Sequence, residues 1–371
     1  MGFFLTMKIK EVSNFIENFA PKKIAWEKDN IGFQVGNPNE NLKNILLALD
    51  LKDDVVSSAK KLNCNLIVTH HPLIFQPLKS VLENSFPGNL ISKLLKNKIT
   101  LYTAHTNLDF TNCGVNFALA KKLELENIKS FIPFKHKLKK IVVFVPIEYV
   151  EKVMNTMAKF GAGKISNYEN CSFQTQGVGT FQGNKNTNPF AGEKNKLEKV
   201  NEIRIEMIAF EWNVEKIISA MIDAHPYEEV AYDIYPLENT ISNYGIGTTG
   251  ELKKSLSKIE FLKFVKNKLN TKHLKYSNGK SNVIKKIALV SGSGSEFLQT
   301  AIQNSFDAFI TSDISYHKFH DAENKILLVD AGHFETEVII LNNLKKFLKK
   351  NLHQNNKIFI YKNSTSAIEW F

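Results

Sequence analysis

The sequence predicts an α/β core with a parallel-type sheet, interrupted by an inserted ferredoxin-like α+β module. Three observations predict it. Wholly apolar strands alternate with amphipathic helices over residues 1–125, the signature of strands covered on both faces. The order then changes to βαβ followed by βαβ, the split pattern of a ferredoxin-like module. After "NYGIGTTGEL" the first rhythm returns. The expected boundaries are therefore 1–127 and 246–371 for a discontinuous core, and 128–245 for the insert.

Taken in order, "MKIKEVSNFIENFA" reads as an amphipathic helix and "KNILLALD" (43–50) as a buried strand. "KDDVVSSAKKLN" (52–63) is a helix, "CNLIVTHH" (64–71) a strand, "NLISKLLKNK" (89–98) a helix and "ITLYTAH" (99–105) a strand. In the insert, the strand "KKIVVFVP" leads to the helix "IEYVEKVMNTMAKFG" and the strand "KISNYENCSFQTQ". A Gly/Asn-rich stretch separates these from the strand "EIRIEMIAF", the helix "NVEKIISAMIDAH" and the strand "EEVAYDIYPL". A weak internal repeat supports the division: Val150-Glu151-Lys152-Val153 and Val214-Glu215-Lys216-Ile217 each open a helix after a strand. The last third reads as the helix "SKIEFLKFVKNKL", the strand "IKKIALVSG" (284–292), the helix "SEFLQTAIQN" and the strand "AFITSD" (308–313). The strand "KILLVDAGH" (325–333) and the long helix "ETEVIILNNLKKFLKK" close it.

Composition narrows the function classes. A chain of 371 residues has room for two domains. Its net charge of +11 is carried almost entirely by lysine, with Arg204 the single arginine. Base readout and bidentate phosphate clamps favour arginine, so scattered lysines on helix faces argue against a nucleic-acid partner. Cys64, Cys113 and Cys171 stand far apart, which argues against a disulfide framework or a thiolate zinc site. No apolar run is long enough for a membrane span, and the N-terminal one is too short for a signal peptide. Gly2 and Thr6 formally match a myristoylation pattern that a start at Met7 would erase. The expected location is the cytoplasm.

Chemistry concentrates at three strand ends. "NLIVTHH" ends in His70 and His71; "TLYTAH" ends in His105, with Asp109 four residues on; "ILLVDAGH" ends in His333, with Glu337 four residues on. Ligands of open parallel sheets bind outside the carboxyl ends of the strands, where these ends can converge. His333 and Glu337 share one face if a helix starts there. Adjacent strand residues point to opposite faces, so His70 and His71 serve one site only where Pro72 turns the chain. Imidazole and carboxylate without thiolate suit zinc, iron, manganese, nickel or cobalt. Five or more donors exceed one ordinary zinc and fit a pair of divalent ions, with Glu337 as the candidate bridge and one histidine of the pair per metal. His136, His225, His273, His317, His320 and His353 lie elsewhere, mostly in loops or helices.

"VTHHPLIFQPLKS", "DNIGFQVG", "TAHTNLD", "VSGSGS" and "DAGHFETE" resemble, in order along the chain, the motifs of the GTP cyclohydrolase 1 type 2 homologues, the NIF-three-like metal-binding proteins. "GVGTFQGNKNTNPFAGE" and "AHPYEEVAYDIYPLEN" resemble the PII-like (CutA-like) insert of the longer bacterial members. The resemblance implies dinuclear ligands at His70, His71, Asp109, His333 and Glu337, with His105 beside the metals. It also implies a toroidal homohexamer with metal sites facing an internal cavity. Lys28 stands before Asp29-Asn30 where many members have an aromatic, and Ser315-Tyr316-His317 stands where lysine usually precedes the tyrosine.

Smaller motifs allow two readings each. "SGSGS" (291–295) either cradles an anion or is a tight turn. Asp29-Asn30-Ile31-Gly32 is either a plain turn or part of the site wall. Asp313 and His317 are either metal-supporting or a surface helix pair. Glu228 and Glu229 read as solvated strand positions. The expected function is a metal-dependent hydrolase that uses an activated water, with His105 relaying a proton. The alternative is a non-catalytic, metal-responsive regulatory or binding protein.

Overall fold

The computed structural model describes residues 7–352, 356–363 and 366–369. Gly2, Thr6 and His353 lie outside them. The chain divides into two compact units, one formed by residues 1–133 and 242–371 and the other by 134–241.

The larger unit contains two sheets, where the sequence predicted one. Edge to edge, the first runs Gly32–Val35, Thr100–Thr103, Leu66–Thr69, Ile45–Ala48 and Ile358–Ile360. Its last four strands are parallel, and Gly32–Val35 joins antiparallel. Every residue of Ile45–Ala48, Leu66–Thr69 and Thr100–Thr103 is buried, because apolar layers cover both faces. Ile45, Leu47, Leu66 and Val68 pack toward the helix Ile9–Phe19, while Leu46, Ala48, Ile67 and Leu101 pack toward the helices Asp53–Lys61 and Gly88–Lys96. Successive residues part to opposite faces, as the period of a strand requires.

The second sheet runs Lys275–Tyr276, Leu327–Asp330, Ala308–Ser312, Val283–Ser293, Ile241–Ser257 and Glu126–Phe134. Its three central strands are parallel, flanked by antiparallel strands on both sides. "NYGIGTTGEL", assigned to no element from the sequence, lies inside Ile241–Ser257. Gly245 (φ 152°) shows why glycine is used there: a Cβ would run into the Ile132 carbonyl of the neighbouring strand. Glu126–Phe134 places the start of the expected insert in this sheet, and the junctions between units fall at 133/134 and 241/242.

The smaller unit follows the order β-α-β-β-α-β. Its antiparallel sheet runs Phe173–Gln182, Leu197–Phe210, Leu138–Pro146, Tyr232–Leu237. The helices Val150–Lys159 and Val214–Ala224 cover one face and bury Ile141, Val143, Ile205 and Met207. The expected strand at "KISNYENCSFQTQ" begins only at Phe173 and continues through Gly177 and Gly179 to Gln182, into the Gly/Asn-rich stretch. Among the described residues no helix is long and apolar enough to cross a membrane.

Candidate metal centre

Every part of the site belongs to the larger unit. Strand Leu66–Thr69 ends one residue before His70. The next turn is held by Gln34, whose Oε1 accepts from Ile74 N at 2.9 Å, and by Asn30, whose Nδ2 donates to Ile74 O at 2.6 Å. Strand Thr100–Thr103 ends two residues before His105, and Asp109 follows on the short helix Thr106–Phe110. Strand Leu327–Asp330 leads through Gly332 (φ 88°) into the helix His333–Glu337. The long helix expected from residue 335 is therefore broken, and His333 and Glu337 are on the first, short piece.

The four imidazoles share one plan. Each donates a hydrogen bond from Nδ1 to a group that can only accept, which fixes the tautomer and leaves Nε2 for the centre. His70 Nδ1 donates to Ala104 O (2.9 Å), His71 Nδ1 to Asp50 Oδ1 (2.8 Å), His105 Nδ1 to Asp29 Oδ1 (2.9 Å) and His333 Nδ1 to Asp313 Oδ2 (2.6 Å). In His70, His71 and His333 the opposite ring nitrogens meet the carboxylates. His70 Nε2 lies 3.5 Å from Asp109 Oδ1 and 3.8 Å from Glu337 Oε1. His71 Nε2 and His333 Nε2 lie 3.0 and 3.2 Å from Glu337 Oε2, and 3.3 Å from each other. Nitrogens of His70, His71 and His105 sit within 4.8 Å of one another, as do donor atoms of His71, His333 and Glu337.

Three of these inward atoms, His70 Nε2, Asp109 Oδ1 and Glu337 Oε2, are buried without a hydrogen-bond partner. Buried polar atoms are normally satisfied, and leaving one unmet costs about 1–3 kcal/mol. Three such atoms converging from different elements fit a bound cation, and the nitrogen-oxygen donor set fits a divalent transition metal.

The electrostatics agree. Burial opposes a charge on His71, but its hydrogen bond to Asp50 and the nearby Glu337 carboxylate outweigh it and push its pKa up to about 9. Burial opposes the charge on His333 too, yet Asp313 and Glu337 push it up to about 10. Burial raises Asp109, against the pull of His70 and His105. Glu337 is buried as well, but the imidazoles of His333 and His70 beside it hold it well below the usual carboxylate range. Without a metal, protons occupy the centre.

The smaller motifs resolve. The glycines of "SGSGS" are spatial: a Cβ on Gly292 (φ 60°) would run into Glu337 Oε1. Gly292 N and Gly294 N already donate to Thr336 and Thr311 hydroxyls, so neither is free for an anion. Asp29 is a support, bonded to His105 and to Thr106 N (3.0 Å). Asp313 faces His333 rather than His317, from a left-handed backbone (φ 54°) that aspartate tolerates. Asp50 was missed. Its signal was the same as the others', a carboxylate just past the end of an apolar strand. Asn116 was missed too; it donates to Asp109 O (3.0 Å) and accepts from Ser291 N (2.7 Å), joining the Asp109 segment to the strand Val283–Ser293. Beside His71 and His333 opens a cavity of about 300 Å³ walled by Leu51, Pro72, Leu73 and Phe75.

The family described as Duf34/NIF3 (NGG1p interacting factor 3) matches residues 7–367. A Bacillus subtilis protein named GTP cyclohydrolase 1 type 2 homolog is 40% identical over 333 residues, covering 89% of each chain. A Halalkalibacterium halodurans protein of the same name is 38% identical over 92% of each. The crystal structure of a Bacillus cereus protein related to NIF3 superposes with a TM-score of 0.88 at 36% identity, over 99% of this chain and 100% of that one. A Staphylococcus aureus structure gives 0.76 at 27% identity over 99% of each.

Proposed function

The chain belongs to the Duf34/NIF3 family, and from that premise we propose that it is a dinuclear, metal-dependent hydrolase. The observation that carries the reading is the convergence of unpartnered His70 Nε2, Asp109 Oδ1 and Glu337 Oε2 among imidazoles whose outer nitrogens are all engaged. His70 and Asp109, with Oε1 of Glu337, would hold one divalent ion. His71 and His333, with Oε2 of Glu337, would hold the second, so that Glu337 bridges. Zinc, iron, manganese, nickel and cobalt all suit these donors. Such a pair supplies Lewis acidity and acidifies water at neutral pH.

The protein's own groups do the rest. Ala104 O, Asp50 and Asp313 hold the rings in orientation, the support that ligating histidines characteristically need. His105, fixed by Asp29, offers Nε2 as a proton relay beside the ligands. Leu51, Pro72, Leu73 and Phe75 wall the adjoining cavity and exclude water from one side of a substrate. The name shared by the curated relatives suggests opening of a purine-nucleotide ring. Among the described residues no arginine or lysine lines this cavity, so the walls select for an apolar or planar body rather than for a triphosphate.

The smaller unit is read as a PII-like insert, supported by its β-α-β-β-α-β order and sheet arrangement, and the assembly as a homohexamer, by family likeness alone. That insert topology favours a second reading, a metal-responsive regulator without turnover. Elemental analysis of the purified protein, followed by a turnover screen of nucleotides and phosphoesters with each metal restored, separates the two. Two bound ions with hydrolysis support the first; two ions with no turnover of any substrate support the second.

A further inference from the structure

The unit 134–241 contains a cavity of about 570 Å³ within the size range of small-molecule sites. The motif that the metal centre does not use, "GVGTFQGNKNTNPFAGE", forms much of its wall. At Gly177 a Cβ would meet nothing within 4 Å, so the missing side chain itself leaves the space open. At Gly179 a Cβ would run into Glu202 Oε2, so this glycine lets a carboxylate lie against the strand. The loop that follows is tied down by Asn188 N, which donates to Glu228 Oε2 at 2.6 Å.

Glu202 is the informative residue. It lines the cavity, and only 9% of its surface is exposed. Its Oε1 accepts from the Tyr227 hydroxyl at 2.8 Å, and it forms no ion pair among the described residues. Arg204, the cation of the wall, is engaged elsewhere. Its Nε donates to Glu206 Oε1 at 3.0 Å and its guanidinium lies over the Phe144 ring. His225 is held neutral: burial lowers its pKa, and its Nδ1 accepts from Tyr227 N. Buried carboxylates are normally paired. The remaining charged lining residues, Glu228 and Glu229, are acidic as well. Phe144, Phe190 and Tyr227 supply aromatic surface.

A nine-tenths-buried carboxylate without a cation, among aromatic rings, matches one ligand chemistry. We propose that this cavity binds an organic ammonium, its protonated amine against Glu202 and its apolar body among Phe144, Phe190 and Tyr227. Cation–π attraction to the rings adds to the ion pair. A phosphate or carboxylate ligand would meet three carboxylates and a guanidinium already shared with Glu206.

Two probes with the same ring and opposite charge, 2-phenylethylamine and 3-phenylpropionate, test this by calorimetric titration of the full-length protein. The amine is expected to bind saturably and at least about tenfold more tightly than the acid. Glu202→Gln should weaken the amine by about tenfold or more, the loss of a charge-assisted bond. Gly177→Leu projects into open space and should block the amine while leaving metal content and melting temperature unchanged. The proposal is overturned if the acid binds as tightly as the amine, if the amine shows no saturation up to about 10 mM, or if Gly177→Leu, correctly folded, binds it undiminished.

Discussion

The metal centre and the cavity of the smaller unit are built in opposite ways. The centre is made by addition. Each inward imidazole has a second group behind it, and the ligands come from strand ends distributed over both sheets of one unit. The cavity is made by subtraction, with glycines at 177 and 179 clearing space beside one buried carboxylate. The difference teaches where each is vulnerable. A site made of mutually supporting charges fails when one support is removed, whereas a space cleared of side chains fails when one is put back.

The largest effect should come from Glu337→Gln. Both its oxygens face imidazoles, so on the dinuclear reading the change should strip metal from both positions, and content measured by mass spectrometry should fall to near none. Retention of both ions would end the bridging role. Next in size is the proton competition. His71 and His333 have pKa values near 9 and 10 without metal, so at neutral pH both must release protons to bind it. Metal affinity should therefore rise with pH, about a hundredfold per unit for two displaced protons, and level off above those values. The sign reverses for the metal-free protein. Its raised folded pKa values stabilise it fully below the unfolded value near 6.5, and that contribution is lost as pH climbs through 9 to 10. A metal-free melting temperature that rises across this alkaline window would contradict the assignment.

Asp50→Asn and Asp313→Asn keep the shape of the supports and remove their charge. Each should weaken metal binding about 10–100-fold, measured by competition with a chelator. Asp29→Asn acts behind His105 and should lower turnover while sparing most of the metal. Gly292→Ala sets a methyl against Glu337 at a left-handed position and should destabilise by about 1–3 kcal/mol, read in urea, with metal lost in parallel. The smallest effect belongs to Gly177→Ala. Its methyl meets open space in a strand, so stability should hold or rise by about 0.5 kcal/mol, and metal content should not change. A large loss there would mean that the cavity is tighter than its walls suggest.

Much of this was legible in the sequence because the relevant signals are local. Apolar runs such as "ILLA" and "LIVT" stand out because parallel strands are buried on both faces, and a histidine that follows such a run is conspicuous. The division into two sheets was not legible. It depends on antiparallel pairing of segments distant in sequence, such as Thr248–Glu251 with Lys286–Leu289, and the strand that holds the first of these has glycines at 245, 247 and 250 in place of an apolar run. The supports were harder to read than the ligands. Asp50 and Asp313 each follow a strand as the histidines do, but nothing local tells which ring an aspartate will face. Asp313 looked toward His317 four residues on, whereas tertiary packing turned it to His333.

The centre draws His71 and His333 from positions 262 residues apart. A ribosome adds roughly 5–20 residues per second, so the first half of the donor set emerges roughly 13–50 s before the second. Through that interval His70, His71 and Asp109 are displayed without Glu337. On the metal-binding reading, a nascent chain would then offer an incomplete and weaker donor set. On that reading the donor set is complete only once Glu337 has been made, so the metal would be chosen late in synthesis, from the ions then present.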